Sequence, residues 1–468
     1  MRKTAILQRQ AADAPQEGFE TRRFKVYTQR DLERIPALTR LPETLRFEMK
    51  VVSSVLPFRV NEYVIDELID WNNVPEDPIF QLTFPQRGML TEGSFERMAE
   101  LHRNGAGKDE IQALAKELRA ELNPHPAGQM ELNIPLDENG NPLEGIQHKY
   151  RETVLFFPSQ GQTCHAYCTF CFRWAQFVGD KALRMASTEA KALHNYLAEH
   201  KEVTDLLITG GDPMVMKTKR LIGYLEPLLE PEYDHIQTIR IGTKALTFWP
   251  YRFVSDDDAD ELIALFEKLI KAGKHLAIMA HYNHWRELET DIAQTAIRRL
   301  RDIGAEIRSQ GPLLAHINDS ADTWVRLWNS QIKLGVIPYY MFVERDTGAR
   351  HYFEVPLAKA WEIYRQAMQQ VSGLGRTARG PSMSAGPGKV EIQGTAEIGG
   401  EKVFVLRFIQ GRNPDWVQRP FFARYDEVAT WLDGLKPALG DQRFFFEEEY
   451  QSMYAAREQM LSNEVDNC

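Results

Sequence analysis

The sequence predicts an α/β protein built on a partial (β/α)6 barrel, with a helical N-terminal region and a small antiparallel β C-terminal region. Three observations support this prediction. Six short apolar strands alternate with helical segments through the middle of the chain, as parallel βα units require. Apolar residues before them recur at helical spacing, and residues near the end alternate as in antiparallel strands. The predicted boundaries are 1–148, 149–372 and 373–468.

The first region has the periodicity of amphipathic helices. A polar, aperiodic arm is expected at 1–30, after which Leu32, Ile35 and Leu38 recur at helical spacing. Helical segments are predicted at about 31–71, with a separate short helix at 62–71, and at 94–102 and 108–122. We interpret this region as a cap or an oligomerisation region, and we expect a homo-oligomer.

The middle region begins with a wholly apolar run at 153–157, which is typical of a strand buried on both faces. Strands are predicted at 153–157, 205–209, 236–241, 275–280, 305–309 and 336–342, with helices near 187–200, 213–230, 258–272, 288–303, 321–334 and 356–371. Six repeats favour an incomplete barrel, and an open doubly wound sheet remains the alternative. In both folds, ligands bind at the carboxyl ends of the strands. In the last region, a Gly-rich loop at 380–389 precedes predicted strands at 401–409 and 421–425.

Composition excludes several classes of function. The net charge of −10 argues against a general nucleic-acid binder, which needs a basic face. No run of about 18 apolar residues is present, so we expect no membrane-spanning helix. The first residues lack the apolar stretch of a signal peptide. The scarcity of cysteine, together with an oxidation-sensitive thiol cluster, predicts a reducing, cytoplasmic location.

Three of the four cysteines form a C-x-x-x-C-x-x-C motif: Cys164, Cys168 and Cys171. Cys468 is remote in sequence. Three thiolates do not complete a tetrahedral zinc site, and no second cysteine pair follows. They suit a 4Fe–4S cluster, in which each cysteine holds one iron and the fourth iron stays open to an outside ligand. A structural zinc site and a simple electron-carrying cluster are the alternatives, and the missing fourth ligand weighs against both.

An open iron can bind a ligand that offers an amine and a carboxylate together, as S-adenosylmethionine does. The cysteine motif resembles the signature of the radical S-adenosylmethionine superfamily. Gly210, Gly211 and Asp212, which follow the second strand, resemble the loop with which that superfamily meets the amine of the cofactor. Two glycines permit close backbone approach, and Asp212 can organise the turn. The resemblance implies reductive cleavage to a 5′-deoxyadenosyl radical, with a flavodoxin or ferredoxin as reductant.

Within that superfamily, the chain resembles the lysine 2,3-aminomutase family. The matching segments are 148–150, 164–173, 207–213, 241–243, 280–284, 338–340 and the Gly-rich loop that ends in Lys389. The resemblance implies that Arg173 pairs with the carboxylate of S-adenosylmethionine, and that His281 and Gln310 help to hold its sugar.

The resemblance also implies pyridoxal phosphate, carried covalently by Lys389 with Lys149 and Tyr150 beside it. A Gly-rich loop admits a phosphate-bearing cofactor, and a partly buried lysine can act as an amine. One departure concerns this cofactor: Thr153 stands where the family has a second arginine that meets the phosphate. Lys149 or Arg151 could supply the lost charge.

A second departure concerns the substrate. Lysine-acting members place two aspartates around the distant ammonium of lysine, and the matching positions here are Arg345 and Ser382. Arg345 would repel a cation and favour a carboxylate. The sequence therefore predicts an isomerase that abstracts hydrogen and moves an amino group on an acidic or neutral, glutamate-like amino acid. A radical enzyme without pyridoxal phosphate that acts on another anionic substrate, and a non-catalytic iron–sulfur protein, remain alternatives.

Overall fold

The computed structural model describes residues 21–126, 132–137, 140–179 and 190–465. Most of the predicted N-terminal arm, the predicted start of the helix at 187–189 and Cys468 lie outside these residues. None of the helices in the described ranges is long and apolar enough to cross a membrane.

Strands and helices alternate through the middle of the chain, whereas helices predominate before it and strands predominate after it. The strands are β1 (Val26–Thr28), β2 (Arg59–Asn61), β3 (Ile146–Tyr150), β4 (Thr153–Phe156), β5 (Asp205–Ile208), β6 (Thr238–Thr243), β7 (His275–His281), β8 (Glu306–Leu313), β9 (Ile337–Val343), β10 (Arg379–Ser384), β11 (Gly388–Ile398), β12 (Glu401–Gly411) and β13 (Pro420–Arg424). The helices are α1 (Glu43–Val55), α2 (Pro78–Thr83), α3 (Glu92–Arg103), α4 (Lys108–Glu121), α5 (Ala190–Glu199), α6 (Thr218–Leu225), α7 (Ala245–Phe248), α8 (Ala259–Lys271), α9 (Asp291–Asp302), α10 (Ala321–Leu334), α11 (Arg350–Phe353), α12 (Leu357–Gln370) and α13 (Glu447–Val465).

One sheet contains the eleven strands from β3 to β13, and they lie side by side in chain order. Neighbouring strands from β4 to β10 are parallel, whereas β3 and β11 to β13 pair antiparallel. The α/β class is confirmed. The parallel strands show no reversal of order, which a doubly wound sheet requires. All their carboxyl ends therefore meet at one edge.

Alternate side chains of the parallel strands face two environments. In β4, Val154 and Phe156 are fully buried in the main hydrophobic core beneath the helices, whereas Leu155 between them lines a cavity. The same alternation recurs in β5, where Leu206 and Ile208 flank Leu207. Strands that are apolar on both faces therefore serve two purposes, since one face holds the helices and the other forms the wall of a site.

The C-terminal strands extend the central sheet. The sequence predicted a loop at 380–389, but β10 pairs parallel with β9 and β11 pairs antiparallel with β10. The loop prediction was wrong because proline and glycine suggested a turn. Pro381 is accommodated by a register shift between Arg379 and Ser382, where the ladder does not need its missing N–H group.

The N-terminal region holds the cysteine loop in place. The amide of Tyr167 donates to the Arg59 carbonyl at 2.8 Å, and that of Thr169 donates to the Leu82 carbonyl at 2.9 Å. Trp174, just after the motif, is buried in the same hydrophobic core as α1 to α4. This region therefore supports the site, in addition to any role in assembly.

The long helix predicted at 31–71 is replaced by short elements. Two 3-10 turns at Gln29–Arg34 and Pro36–Arg40 precede α1, which is followed by β2 and one turn at Val64–Leu68. Pro36, Pro42 and Pro57 break the periodic pattern, since proline cannot donate within a helix and disfavours helix in the residue before it.

Candidate active site

A cavity of about 270 Å³ lies at the carboxyl edge of the parallel strands. Its walls come from the cysteine loop and from side chains on every strand from β4 to β9, with β10 and β11 closing one side. The predicted site residues that line it are Cys164, Cys168, Cys171, Arg173, Gly210, Gly211, His281, Gln310, Arg345 and Lys389. Asp212, Lys149, Tyr150 and Ser382 lie outside its lining.

The three cysteines are free thiols on one wall of the cavity. Burial raises the pKa of Cys171 to about 11 and raises those of Cys164 and Cys168 further, with neighbouring thiols adding to the effect. Such thiols bind as thiolates only beside a compensating positive charge, which an iron–sulfur cluster supplies. The donor set therefore fits such a cluster.

A cluster and a single metal ion place different demands on the three thiols. In the described residues, no group of three or more His, Cys, Asp or Glu side chains could hold one metal ion. A 4Fe–4S cluster does not need such convergence, because each cysteine binds a different iron.

The glycine loop packs directly against the segment that leads into the cysteines. The Asp212 amide donates to the carbonyls of Gly161 and Thr163, at 3.0 and 2.8 Å. A Cβ atom on Gly211 would lie 2.5 Å from the Thr163 carbonyl oxygen, and Gly210 has a φ of +150°. Position 211 therefore requires glycine because the Thr163 backbone approaches so closely, and position 210 favours glycine because of its positive φ.

The Asp212 side chain organises the turn from beneath the cavity. Its carboxylate accepts hydrogen bonds from the Thr243 hydroxyl at 2.7 Å and from the amides of Met214 and Lys244 at 2.9 Å. Burial raises its pKa to about 6, against the opposing effect of these donors. Asp212 therefore joins β5 to the end of β6 and does not itself face the cavity.

Arg173 offers an unused donor to the cavity. Its guanidinium lies 4.2 Å from the centre of the Phe157 ring, and within the described part of the chain its buried Nη1 has no hydrogen-bond partner. Burial lowers its pKa to about 10; Arg345 acts in the same direction, whereas Cys171 opposes it. An anionic ligand would satisfy the free donor.

His281 at the end of β7 pairs with Gln310, which lies opposite it within β8. The Gln310 Nε2 lies 2.8 Å from the His281 Nε2. Burial lowers the pKa of His281 to about 3, with Lys244 and Arg173 adding to the effect, so the ring is neutral. The amide therefore donates to the imidazole, which fixes both side chains at the cavity wall.

Lys389 is the second residue of β11 and faces the same cavity. Its Nζ donates to Gln410 Oε1 at 3.2 Å and lies 4.2 Å from the centre of the Tyr340 ring. Burial lowers its pKa to about 7, aided by Arg240 and Arg379 and opposed by Asp205. A substantial fraction of the amine is therefore neutral and nucleophilic near neutral pH.

Two residues of this network were missed in the sequence analysis. Arg240 lines the cavity from β6, and its Nε donates to Asp205 Oδ1 at 2.7 Å. Asp205 Oδ2 also accepts from the Thr153 hydroxyl at 2.9 Å. The signal in the sequence that could have identified these two residues is that each is a charged residue in a largely apolar strand. The Thr153 hydroxyl is thus bonded to Asp205, and Thr153 does not line the cavity.

Arg345 follows β9 and reaches the cavity beside the cysteine loop. Its guanidinium lies 4.9 Å from the centre of the Phe172 ring, and its buried Nε has no partner among the residues that the structure describes. Glu344 next to it lines the cavity too, and burial raises its pKa well above the usual range, against the opposing effect of Arg345. Burial lowers the pKa of Arg345, while the neighbouring Asp346 and Glu344 act to raise it.

Ser382 lies deeper in β10 than the cavity. Its side chain is fully buried, and within the described ranges its hydroxyl has no hydrogen-bond partner. Ser384, two residues further on the same face, lines the cavity and is the better candidate for ligand contact. Lys149 lies just behind this wall, where its Nζ donates to the Ala385 carbonyl at 2.6 Å.

No protein-family model matches the sequence. The chain is 29% identical over 393 residues to a provisionally named L-lysine 2,3-aminomutase of Aquifex aeolicus, covering 84% of this chain and 91% of that protein. It is 30% identical over 241 residues to the L-lysine 2,3-aminomutase of Haemophilus influenzae, covering 51% of this chain and 67% of the relative. A radical SAM methyltransferase of known structure from Sphaerobacter thermophilus is also similar. The alignment spans 60% of this chain and 91% of the methyltransferase chain, with 13% sequence identity and a TM-score of 0.35.

The relatives confirm the family predicted from the cysteine, glycine and lysine motifs. One match extends over most of both chains, and the other reaches two thirds of the relative at 30% identity. The chain belongs to the radical S-adenosylmethionine superfamily and, within it, to the lysine 2,3-aminomutase-like family.

Proposed function

We propose that the protein is an amino-acid 2,3-aminomutase-like isomerase that acts on an acidic or neutral, glutamate-like amino acid. Membership of the superfamily implies a 4Fe–4S cluster and S-adenosylmethionine, and the finer proposal adds pyridoxal phosphate on Lys389. One observation carries it: the three cysteines and Lys389 line the same cavity. A radical generated at one wall could therefore reach a substrate held at the other without crossing solvent.

The cysteine wall would bind the radical-forming cofactors. Cys164, Cys168 and Cys171 would hold the cluster, and Arg173 would use its free Nη1 on the carboxylate of S-adenosylmethionine. Gly210 and Gly211 would meet its amine, with Asp212 holding the loop, and His281 and Gln310 would hold its sugar. When bound, the cluster and S-adenosylmethionine supply a 5′-deoxyadenosyl radical, and these residues position it and exclude water.

The Lys389 wall would bind the second cofactor. Because the pKa of Lys389 is near 7, its amine can attack a carbonyl carbon at neutral pH without a separate base. Pyridoxal phosphate, when bound, supplies a conjugated system through which nitrogen can migrate. Tyr150 and Lys149 would lie beside it, and the ion pair of Arg240 with Asp205 would fix the charge near the amine.

The charges of the cavity support an anionic substrate. Arg345 has a buried donor without a partner among the described residues, and burial raises the pKa of its neighbour Glu344, which favours the uncharged acid. A lysine side chain would place its ammonium against Arg345, whereas a carboxylate would form a charge-assisted hydrogen bond. Ser382 does not line the cavity, so we assign substrate contact to Arg345 first and to Ser384 second.

The sheet is proposed to curve as a partial barrel. In a flat sheet, β3 and β10 would be about 34 Å apart, given a strand spacing of about 4.8 Å. Yet Lys149 on β3 bonds to the carbonyl of Ala385, directly after β10. Curvature brings these strands together, and we also propose the division at 148 and 372. A homo-oligomer, a flavodoxin- or ferredoxin-type reductant and a cytoplasmic location complete the proposal.

An absorbance spectrum of anaerobically purified protein, recorded before and after borohydride, tests the proposal. We expect an iron–sulfur band, together with a pyridoxal chromophore that borohydride fixes on the peptide containing Lys389. Lys389→Ala should abolish the fixed label, and Lys402→Ala, which removes a lysine on the neighbouring strand β12, should retain it. A label that persists in Lys389→Ala would contradict the assignment.

A radical enzyme without pyridoxal phosphate remains the second candidate, favoured by Thr153, which bonds to Asp205 instead of contacting a phosphate. It predicts formation of 5′-deoxyadenosine on reduction, with no pyridoxal chromophore. A non-catalytic iron–sulfur protein predicts the cluster absorbance without any 5′-deoxyadenosine. The same preparation therefore distinguishes all three hypotheses.

A further inference from the structure

A second and larger recess, of about 840 Å³, lies beside α4 in the N-terminal region. Its lining includes four cationic side chains: Arg30, Lys108, Lys116 and Arg119. Within the described part of the chain, none of its lining residues is an aspartate or a glutamate, although the whole chain carries a net charge of −10. Such a local excess of positive charge attracts anionic partners.

The charges of α4 are segregated by helical spacing. The α4 residues that line the recess recur mostly three or four positions apart, as on one helix face: Lys108, Ile111, Gln112, Ala115, Lys116, Arg119 and Ala120. The carboxylates of the helix lie outside this lining. Glu110 caps the Gly107 amide at 2.9 Å, and Glu117 pairs with Arg97 at 2.7 Å. The recess therefore receives the basic face of the helix.

Three of these cations are not neutralised by an ion pair. Among the residues that the structure describes, Arg30, Lys108 and Lys116 form no ion pair with a carboxylate. Arg119 donates its Nε to the neutral carbonyl of Val55 at 2.7 Å. The positive charge of the recess is therefore available to a partner outside the chain.

The recess and the active-site cavity share a segment of chain. Phe177 lines the cavity, and Val178, the next residue, lines the recess. Consecutive Cα atoms are about 3.8 Å apart, so the two spaces are separated here by little more than the backbone. The Phe177 ring also stacks on Tyr167, with ring centres 4.3 Å apart, and Tyr167 lies within the cysteine motif. The recess therefore borders the loop that would hold the cluster.

We propose that this recess is the docking surface for the electron donor, a small acidic protein that carries one electron at a time. This inference rests on the proposed function, which needs an outside reductant. In the step, the donor loses one electron and the 4Fe–4S cluster gains it, and no bond forms or breaks. Electron transfer slows steeply with distance, so the donor must dock beside the cysteine loop.

The exposure of the cations favours a protein over a small anion as the occupant. A small-molecule site encloses its ligand among a few precisely placed polar groups, whereas Lys108 and Lys116 are exposed. Exposed charges steer an acidic partner and raise its rate of encounter. Electron-transfer complexes have small, transient interfaces of this kind. Ile111 and Val178, both partly buried, add apolar contact.

The test measures binding of oxidised flavodoxin to the anaerobically purified protein, and the rate at which reduced flavodoxin bleaches the cluster absorbance. In the double variant Lys108→Glu/Lys116→Glu, we expect affinity and rate to fall about tenfold or more at low ionic strength. The difference should shrink at about 1 M salt, where charges are screened within about 3 Å. Dithionite, a small reductant that needs no docking, should reduce the variant and the wild type equally well.

Lys219→Glu/Lys333→Glu is the matched control, because it changes the net charge by the same amount on α6 and α10, away from the recess lining. It should bind flavodoxin and accept electrons as the wild type does. Equal losses in the two double variants would show only an effect of overall charge and would overturn the inference. Wild-type behaviour of Lys108→Glu/Lys116→Glu would overturn it too.

Cross-linking by a carbodiimide, which joins a lysine to a carboxylate in contact with it, provides a measurement on the wild-type protein. We expect flavodoxin to be linked to Lys108 or Lys116, and links only to other lysines would overturn the inference. Calorimetric titration with inorganic pyrophosphate tests the other occupant. Pyrophosphate binding that Lys108→Glu/Lys116→Glu abolishes, with flavodoxin binding unchanged, would assign the recess to a small anion. If the dithionite-reduced protein forms no 5′-deoxyadenosine, the proposed function fails, and the cross-links still decide where flavodoxin docks.

Discussion

The contact between the glycine loop and the cysteine loop gives a sharp test of how the radical-forming wall is built. In Gly211→Ala, the new Cβ atom would lie 2.5 Å from the oxygen, 2.7 Å from the nitrogen and 2.8 Å from the carbonyl carbon of Thr163. All three are backbone atoms, so no side chain can rotate away. Restoring a contact of about 3.5 Å requires a shift of about 1 Å in the residue that precedes Cys164.

Overpacking of this kind costs about 1–3 kcal/mol. If the glycine loop moves to relieve it, S-adenosylmethionine should bind about 10–100-fold more weakly. Urea unfolding of the apoprotein gives the first quantity, and equilibrium binding to the reconstituted protein gives the second.

Gly223→Ala is the matched control, since nothing lies within 4 Å of its Cβ position in α6. That variant should be stabilised by about 0.5–1 kcal/mol and bind normally. Wild-type stability and affinity in Gly211→Ala would refute the reasoning.

Three further predictions concern the charges of the site. Borohydride fixation of pyridoxal phosphate on Lys389 should rise with pH through a midpoint near 7, because the amine loses its proton there; a midpoint near 10 would contradict the lowered pKa. Asp212→Asn should lower the free energy of unfolding by about 1–3 kcal/mol. The Thr243 hydroxyl and the Lys244 amide donate to different carboxylate oxygens, and an asparagine side chain has only one oxygen to accept them. Unchanged urea unfolding would contradict this prediction. Arg345→Asp should raise the KM for an acidic amino acid about tenfold or more, and an unchanged KM would remove Arg345 from substrate binding.

Much of the fold could be predicted because parallel βα units leave a strong pattern. Apolar runs such as 205–208 are recognisable, and the carboxyl ends of successive parallel strands must meet at one edge. This rule brought Cys164, His281 and Gln310 into one predicted neighbourhood, whereas Lys389 was placed by the family resemblance. The α/β class followed from the pattern, whereas the order of the strands was left open between a barrel and a doubly wound sheet.

What the sequence could not reveal depends on exact register and on pairs distant in the chain. Ser382 and Ser384 lie on the same face of β10 and differ only in their depth along the strand, so periodicity does not report which of them reaches the cavity. Neither Arg240 nor Asp205 indicates a site by its sequence context alone. Their ion pair forms only because β5 and β6 lie side by side in the sheet. The lowered pKa of Lys389 is likewise a property of its burial and its neighbours in space.

The central claim is that one cavity joins the radical-forming wall to the substrate wall. The most direct measurement uses the reconstituted protein with pyridoxal phosphate, a chemical reductant, S-adenosylmethionine and glutamate carrying deuterium at C3. We predict deuterium in the 5′-deoxyadenosine that forms, because the radical would abstract from a substrate held near Lys389 and Arg345. Formation of 5′-deoxyadenosine without deuterium, from glutamate and from neutral amino acids labelled in the same way, would contradict the claim.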